Sequence, residues 1–251
     1  LGTILGPVLV GSLIGMNVFE ISTPQFGLLT PLIVMSLIMT VAAIIVYVYL
    51  PDNHSTQPEQ NKNPRIVLDL RLRYLMSIGI IIFTAFALVQ SITAFYIQDR
   101  FGLDLDSTAQ TTALLLGTMA LAAIVSQLTV VQRYKGSALN LIKFSVPLFV
   151  LSVILIIFSP NFNLFYLGMA LMGLGMGLAS PGYTASASLN ADDQSQGAAV
   201  GLAMVAPGIG FAIGPFLSGI LYSFSMNLPF LFILPIYLIL VLLLRKLELL
   251  N

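Results

Sequence analysis

Apolar residues in this chain come in long unbroken runs separated by short polar breaks, not at the alternating spacing of a half-buried strand or the three-to-four spacing of a surface helix. About 20 such residues, at 1.5 Å each, cross a hydrocarbon layer roughly 30 Å thick. By that measure spans are predicted at 26–50, 74–97, 109–131, 141–159, 163–189, 197–223 and 227–244, and a shortened one ends near Phe19, eight in all. Residues 20–25 make a short polar connection. Residues 51–73 form the one long hydrophilic segment, where Pro51, Pro58 and Pro64 stand among Asp, Asn, Gln and Ser. That segment reads as an extended linker between two helical bundles, although 65–73 could instead form a short amphipathic surface helix. The expected organisation is the end of one bundle at 1–50, the linker at 51–73, and a second bundle of six helices at 74–251. Short connections after the linker predict that consecutive helices are antiparallel neighbours.

Composition fixes the solvent. Apolar residues make up 58% of the chain, charged residues 8%, and the mean hydropathy is +0.99, which is an all-helical integral membrane protein and not a soluble domain. There is no cysteine, and the single histidine, His54, lies in the linker, so thiolate chemistry is excluded and no metal site or cofactor is expected. A net charge of zero argues against nucleic acid as a partner. The chain begins at Leu1 inside an apolar run, so we expect a piece of a longer protein.

Lysine and arginine concentrate in cytoplasmic loops. With the linker inside, nine basic residues, among them Arg133, Lys135, Lys143, Arg245 and Lys246, fall on the inner side and only Arg100 on the outer. The C-terminus is thereby placed in the cytoplasm, and Glu20, Asp99, Arg100, Asp104 and Asp106 near the outer face. Asp99 beside Arg100 reads as a solvated loop. Arg133 and Lys135, in the basic loop at 132–136, read as positive-inside anchors, with pairing to acidic groups or helix C-termini as the alternative. Asp192, Asp193 and Ser195 read as caps of the following helix.

One pattern occurs twice. Gly2, Gly6, Pro7 and Gly11 return as Gly210, Gly214, Pro215 and Gly219, an offset of 210 minus 2, or 208. Glycines four apart share one helix face and let another backbone approach closely, and the adjoining proline removes an amide donor and kinks the helix. Phe26 and Pro31 likewise match Phe230 and Pro235. Gly173, Gly175, Gly177 and Gly182, with Pro181, predict a closely packed, bent helix that could serve as a gate. Tight packing alone is the static alternative.

These residues resemble the major facilitator superfamily, in its twelve-span drug:proton antiporter branch. The stretches GTILGPVLVG and GFAIGPFLSG are similar to that branch's glycine-proline antiporter motif in spans five and eleven, with one glycine displaced. YIQDRFGLD and SQGAAVGLA also look like the family's connection after span seven and the start of span eleven. The resemblance implies spans five to twelve, with four helices of roughly 20 residues each upstream. It further implies a bacterial inner-membrane carrier, monomeric when complete, that works by alternating access with protons as the coupling ion. No Asp, Glu, His, Lys or Arg falls near the middle of a predicted span, so a coupling carboxylate is expected in the upstream part.

The spans themselves offer a cavity wall for a small-molecule substrate. Gln90 is polar at mid-depth, with Phe83 and Phe86 at helical spacing, and Gln127, Ser180, Tyr183 and Thr184 add hydrogen-bonding groups. Phe86, Met119, Met172, Met176 and Met204 offer surfaces that repack around different shapes. The wall we predict is Gln90, Phe86, Phe83, Met119, Met176 and Tyr183, and helix packing or lipid contact is the competing reading for each. Proton-coupled efflux of small amphiphiles is the expected activity. A symporter or facilitator of the same fold is the nearest alternative, and a polytopic enzyme or receptor a more distant one, since an enzyme should show clustered Asp, His or Cys and only Asp99, Asp104 and Asp106 hint at that.

Overall fold

The computed structural model describes residues 30–49, 70–188 and 196–249, and among them every regular element is a helix. In chain order these are α1 (Thr30–Tyr49), α2 (Leu70–Phe101), α3 (Leu105–Thr129), α4 (Ala138–Phe158), α5 (Phe162–Ser188), α6 (Gln196–Phe224) and α7 (Leu228–Glu248), with a 3-10 turn at Val131–Arg133. Six of them, α2 to α7, are long and apolar enough to cross a membrane. The side chains of α1 from Ser36 to Tyr49 are exposed throughout. The first predicted span, residues 51–69 of the predicted linker and the acidic residues before α6 lie outside the described residues, while 70–73 of that linker form the first turn of α2.

Helix ends differ from the apolar runs because charged residues do not stop a helix; they only leave the hydrocarbon. α2 starts at Leu70 and runs through Gln98, Asp99 and Arg100, so its 32 residues exceed what a roughly 30 Å layer needs. What stops it is Gly102, whose φ of 63° closes the helix while the Leu103 amide donates back to the Gln98 carbonyl at 3.2 Å. Asp104 then caps α3, accepting from the Ser107 amide at 3.2 Å. The expected solvated loop at Asp99 and Arg100 is therefore the last turn of a helix.

The expectation that chain neighbours pack together holds for α4 and α5, which share the largest interface, but the next two join α2 to α6 and α3 to α5. Small residues decide this. In lipid no water is expelled when helices meet, so van der Waals contact at close approach is what holds them. A Cβ added at Gly210 would lie 2.6 Å from the Phe83 Cβ, and one at Gly214 would lie 2.6 Å from the Ala87 Cβ and 2.8 Å from the Thr84 carbonyl, so α6 rests directly on the α2 backbone. α5 is pressed from two sides. Gly177 meets α3, where an added Cβ would lie 2.9 Å from the Ser126 Cβ; Gly168, Gly175 and Gly182, seven apart, meet Ile156, Phe149 and the Ala138 carbonyl of α4.

At one end of the bundle the helix termini are tied together. Arg100 donates to Tyr96 Oη, to the Ile157 carbonyl at 2.9 Å and to the Ser159 carbonyl at 2.6 Å, meeting acceptors that the end of α4 leaves open. Tyr96 Oη donates to Asn227 Oδ1 at 3.0 Å, before α7, and Tyr222 Oη of α6 donates to Asp99 Oδ2 at 2.5 Å. At the opposite end Lys143 of α4 pairs with Glu248 of α7.

Candidate functional site

A hollow of about 540 Å³ opens between α2, α3, α5 and α6. Helical periodicity puts its wall in place: Phe83, Phe86 and Gln90 lie on one face of α2, and Met119, Ala123 and Gln127 on one face of α3. From α5 come Gly173, Met176, Ser180 and Thr184, and from α6 Met204, Pro207 and Phe211. Gly173 lets α5 sit so close to α3 that an added Cβ would collide with the Met119 carbonyl, which leaves the neighbouring methionines free to line the space.

Aromatic rings shape the α2–α6 side. Phe86 meets Phe211 edge-on at 6.2 Å and 85°, and Phe83 lies 6.2 Å from the same ring. Phe83 in turn takes the edge of Tyr183 at 5.8 Å and 79°. Such offset and edge-on pairs fit the ring quadrupole and fix the rings' orientation. The polar groups are neutral. Gln90 and Gln127 are half-buried, and neither amide bonds to another described residue; among the described residues no charged side chain lines the hollow.

A second, more open hollow of about 590 Å³ adjoins the first in the groove between α3 and α5, toward the 3-10 turn. The two share Gln127, Ser180 and Thr184 as lining residues. Their linings differ: the first is mostly aromatic, methionine and alanine, while the second adds Gln132 and Ser188.

Of the six residues predicted for a cavity wall, Gln90, Phe86, Phe83, Met119 and Met176 line the first hollow. Tyr183 does not. It is 1% exposed and its ring fills the space above Gly79, because one position along α5 from the 180/184 face turns a side chain by about 100° into the core. Met172 is likewise fully buried, whereas Met204 is on the wall. Sequence reasoning missed Phe211 and Pro207, which the three-to-four spacing from Met204 could have indicated.

Of the twice-occurring pattern, Gly2, Gly6, Pro7 and Gly11 lie outside the described residues. Gly210 and Gly214 sit in the α2–α6 interface, while Pro215 is exposed and a Cβ at Gly219 would meet nothing within 4 Å. Arg133 and Lys135 are exposed, and neither has an ion pair among the described residues. Among the described residues Asp104, at the opposite end, is the one titratable group outside the spans with a clear shift. Hydrogen bonds from Ser107, its hydroxyl first and its amide second, hold the carboxyl below the usual carboxylate range. Among the described residues no group of three or more His, Cys, Asp or Glu could hold a metal ion.

Comparison with known proteins follows the same lines. A family model described as Major Facilitator Superfamily matches residues 130–249, that is, from the 3-10 turn through α7. No curated protein sequence matches the chain. Among solved structures it is similar to the human organic anion transporter MFSD10 (TETRAN), with a TM-score of 0.65 and 16% identity over 97% of this chain. The fold is thus the all-helical membrane fold of major facilitator proteins, and the chain spans 66% of the length of that transporter.

Proposed function

We propose that this chain is the larger part of a major facilitator transporter that exports small amphiphilic compounds in exchange for protons. The observation that carries the reading is the hollow itself: four helices leave an aromatic and methionine-lined space with two amides that bond to no other described residue, in a bundle whose interface glycines Gly173, Gly177, Gly210 and Gly214 leave no room for a methyl group. In this reading 74–251 is the second bundle, the Arg133 end faces the cytoplasm, and substrate binds between this bundle and an upstream one whose rocking exposes the site to each side in turn. Gly210 and Gly214 seat α6 on α2 within this bundle, so that pair moves together in the rocking. Nothing lining the hollow can accept a proton in the neutral range, so the coupling carboxylate is assigned to the upstream bundle.

The test is flux by the full-length protein in proteoliposomes. Uptake of a naphthalene-based amphiphile should rise when a proton gradient is imposed and collapse when it is dissipated. Uptake indifferent to the gradient would leave an uncoupled facilitator, and absence of uptake with or without a gradient would remove transport altogether.

A further inference from the structure

Pro207 divides α6 into two parts that meet their neighbours differently. Beyond it, Gly210 and Gly214 rest on the α2 backbone. Before it, Met204 and Val205 are exposed and a Cβ at Gly201 would meet nothing within 4 Å, while Ala206 is fully buried, its Cβ 2.9 Å from where one would stand on Gly79 of α2. The ring of Tyr183, from α5, is wedged into that same seat, with its Cζ 2.5 Å from the same added Cβ. Tyr183 is buried, and its hydroxyl has no hydrogen-bond partner among the described residues, so it carries the cost of lost hydration with nothing in return. The complementary defect stands one turn away. Pro207 has no amide, so the Ala203 carbonyl lacks the donor that an α-helix supplies four residues on. A helix carbonyl points along the axis toward that missing amide, which puts the Ala203 oxygen at the height of Ala206, the residue that shares the Gly79 seat with the phenol.

We propose that the leading segment of α6, 196–206, has two seats on the bundle, and that the Tyr183 hydroxyl is the latch that holds it in the second. In the seat seen here Ala206 packs on Gly79 and the phenol lies between them unbonded. In the other the segment turns about Pro207 until the Ala203 carbonyl accepts a hydrogen bond from Tyr183 Oη. α5 is packed on two sides, so the phenol stays in place and α6 comes to it. The second seat gives up the contact at Ala206 and gains a bond between two groups that each lack a partner in the first, which keeps the two close in free energy. Only the purpose of the device rests on the transport reading: Met204 and Pro207 line the first hollow, so the turn changes its width while the rest of α6 stays paired with α2.

The test is a distance across this end of the bundle in the full-length protein. Gln132 and Gly201, both exposed, would be replaced by p-acetylphenylalanine and spin-labelled through its ketone, a chemistry that ignores any cysteine, and the separation read by double electron–electron resonance without solute or gradient. The parent should show two distances. Gly79→Ala, whose new Cβ collides with the Tyr183 ring and with Ala206, should make the second dominant. Adding Tyr183→Phe to it should cut the ratio of second to first about tenfold, the worth of one buried hydroxyl bonded against unbonded, and Tyr183→Phe alone should move the parent the same way. Pro207→Ala returns an amide to the Ala203 carbonyl and should leave one distance that Tyr183→Phe does not alter. Cooperative thermal unfolding identifies the folded variants, and if Gly79→Ala is not among them, Tyr183→Phe and Pro207→Ala decide. A single distance shared by the parent and Gly79→Ala overturns the proposal, as does a ratio that Tyr183→Phe leaves unchanged or raises. Two distances in a protein that moves no solute would remove the transport reading and keep the latch, and flux through a protein with one distance would do the reverse.

Discussion

Two helix pairs in this bundle use the same device and end in different situations. α5 carries Gly173 and Gly177 against α3, and α6 carries Gly210 and Gly214 against α2; in both, glycines four apart bring one backbone onto another. Yet α5 has a second set, Gly168, Gly175 and Gly182, filled by α4, whereas the far side of α6 shows Gly208, Pro215 and Gly219 with nothing of the described chain upon them. About half of the α5 span is buried and about a fifth of the α6 span, 50% against 22%. A helix held on two sides cannot back away from an intruding atom. One whose far side is left open by the described chain can. The same short pattern therefore marks a fixed strut in one place and a movable margin in another.

That contrast can be broken most directly by adding a methyl group. Gly177→Ala should cost about 2 to 3 kcal/mol, because the new Cβ meets the α3 backbone and α4 blocks retreat, while Gly214→Ala should cost about half as much as α6 shifts outward. Gly219→Ala should stay within about 0.5 kcal/mol of the parent or gain slightly from helix propensity. Thermal unfolding of the purified protein in one detergent would rank them; Gly214→Ala as costly as Gly177→Ala would show that α6 is clamped after all.

The helix ends sharpen the comparison next. Arg100 ties α2 to the end of α4, the neighbour that encloses α5, through two backbone carbonyls, and its guanidinium sits 5.3 Å from the Tyr96 ring centre. Arg100→Ala leaves those acceptors unmet and should lower stability by about 2 kcal/mol. Arg100→Lys should recover less than half of that, since an ammonium cannot span the same fork. α6 depends at the same end on a single phenol, Tyr222, so Tyr222→Phe should cost no more than about 1 kcal/mol. A larger loss from Tyr222→Phe than from Arg100→Ala would reverse the assignment of strut and margin.

The smallest effect is at the start of α3, the helix against which α5 rests. The Asp104 carboxyl is depressed by its bonds from Ser107, so its contribution is complete above the unfolded carboxylate pKa of about 3.9 and is lost as pH falls through the lower folded value. Asp104→Asn keeps the capping oxygen but cannot titrate. The difference in unfolding temperature between parent and variant should be constant from neutral pH to about pH 4 and move against the parent only below it. A difference that drifts near pH 6 would assign the pH response to another group.

Much of this was legible in advance because lipid imposes a coarse rule: a run of about 20 apolar residues has to be a helix, since no water is present to satisfy its backbone. All six described helices from α2 to α7 were readable in this way, with ends off by up to four residues, as at Leu70 and Phe101, where charged positions continue the helix past the apolar run. Five wall residues were legible because helical spacing puts residues three and four apart on one face. Tyr183 was not, because periodicity gives a face but not which neighbour covers it. Arg100 was misplaced for a related reason. A charge at a helix end looks solvated until another helix brings carbonyls within reach of it.

The sequence by itself determined the solvent, the helices and the places where backbones approach closely, because hydropathy, length and the absence of a side chain are properties of single segments. Which segments meet was decided by the tertiary structure: α2 took α6 and α3 took α5 across the chain order, and the space left among those four helices became the hollow. Pair choice depends on how two surfaces fit, and that fit belongs to neither segment alone.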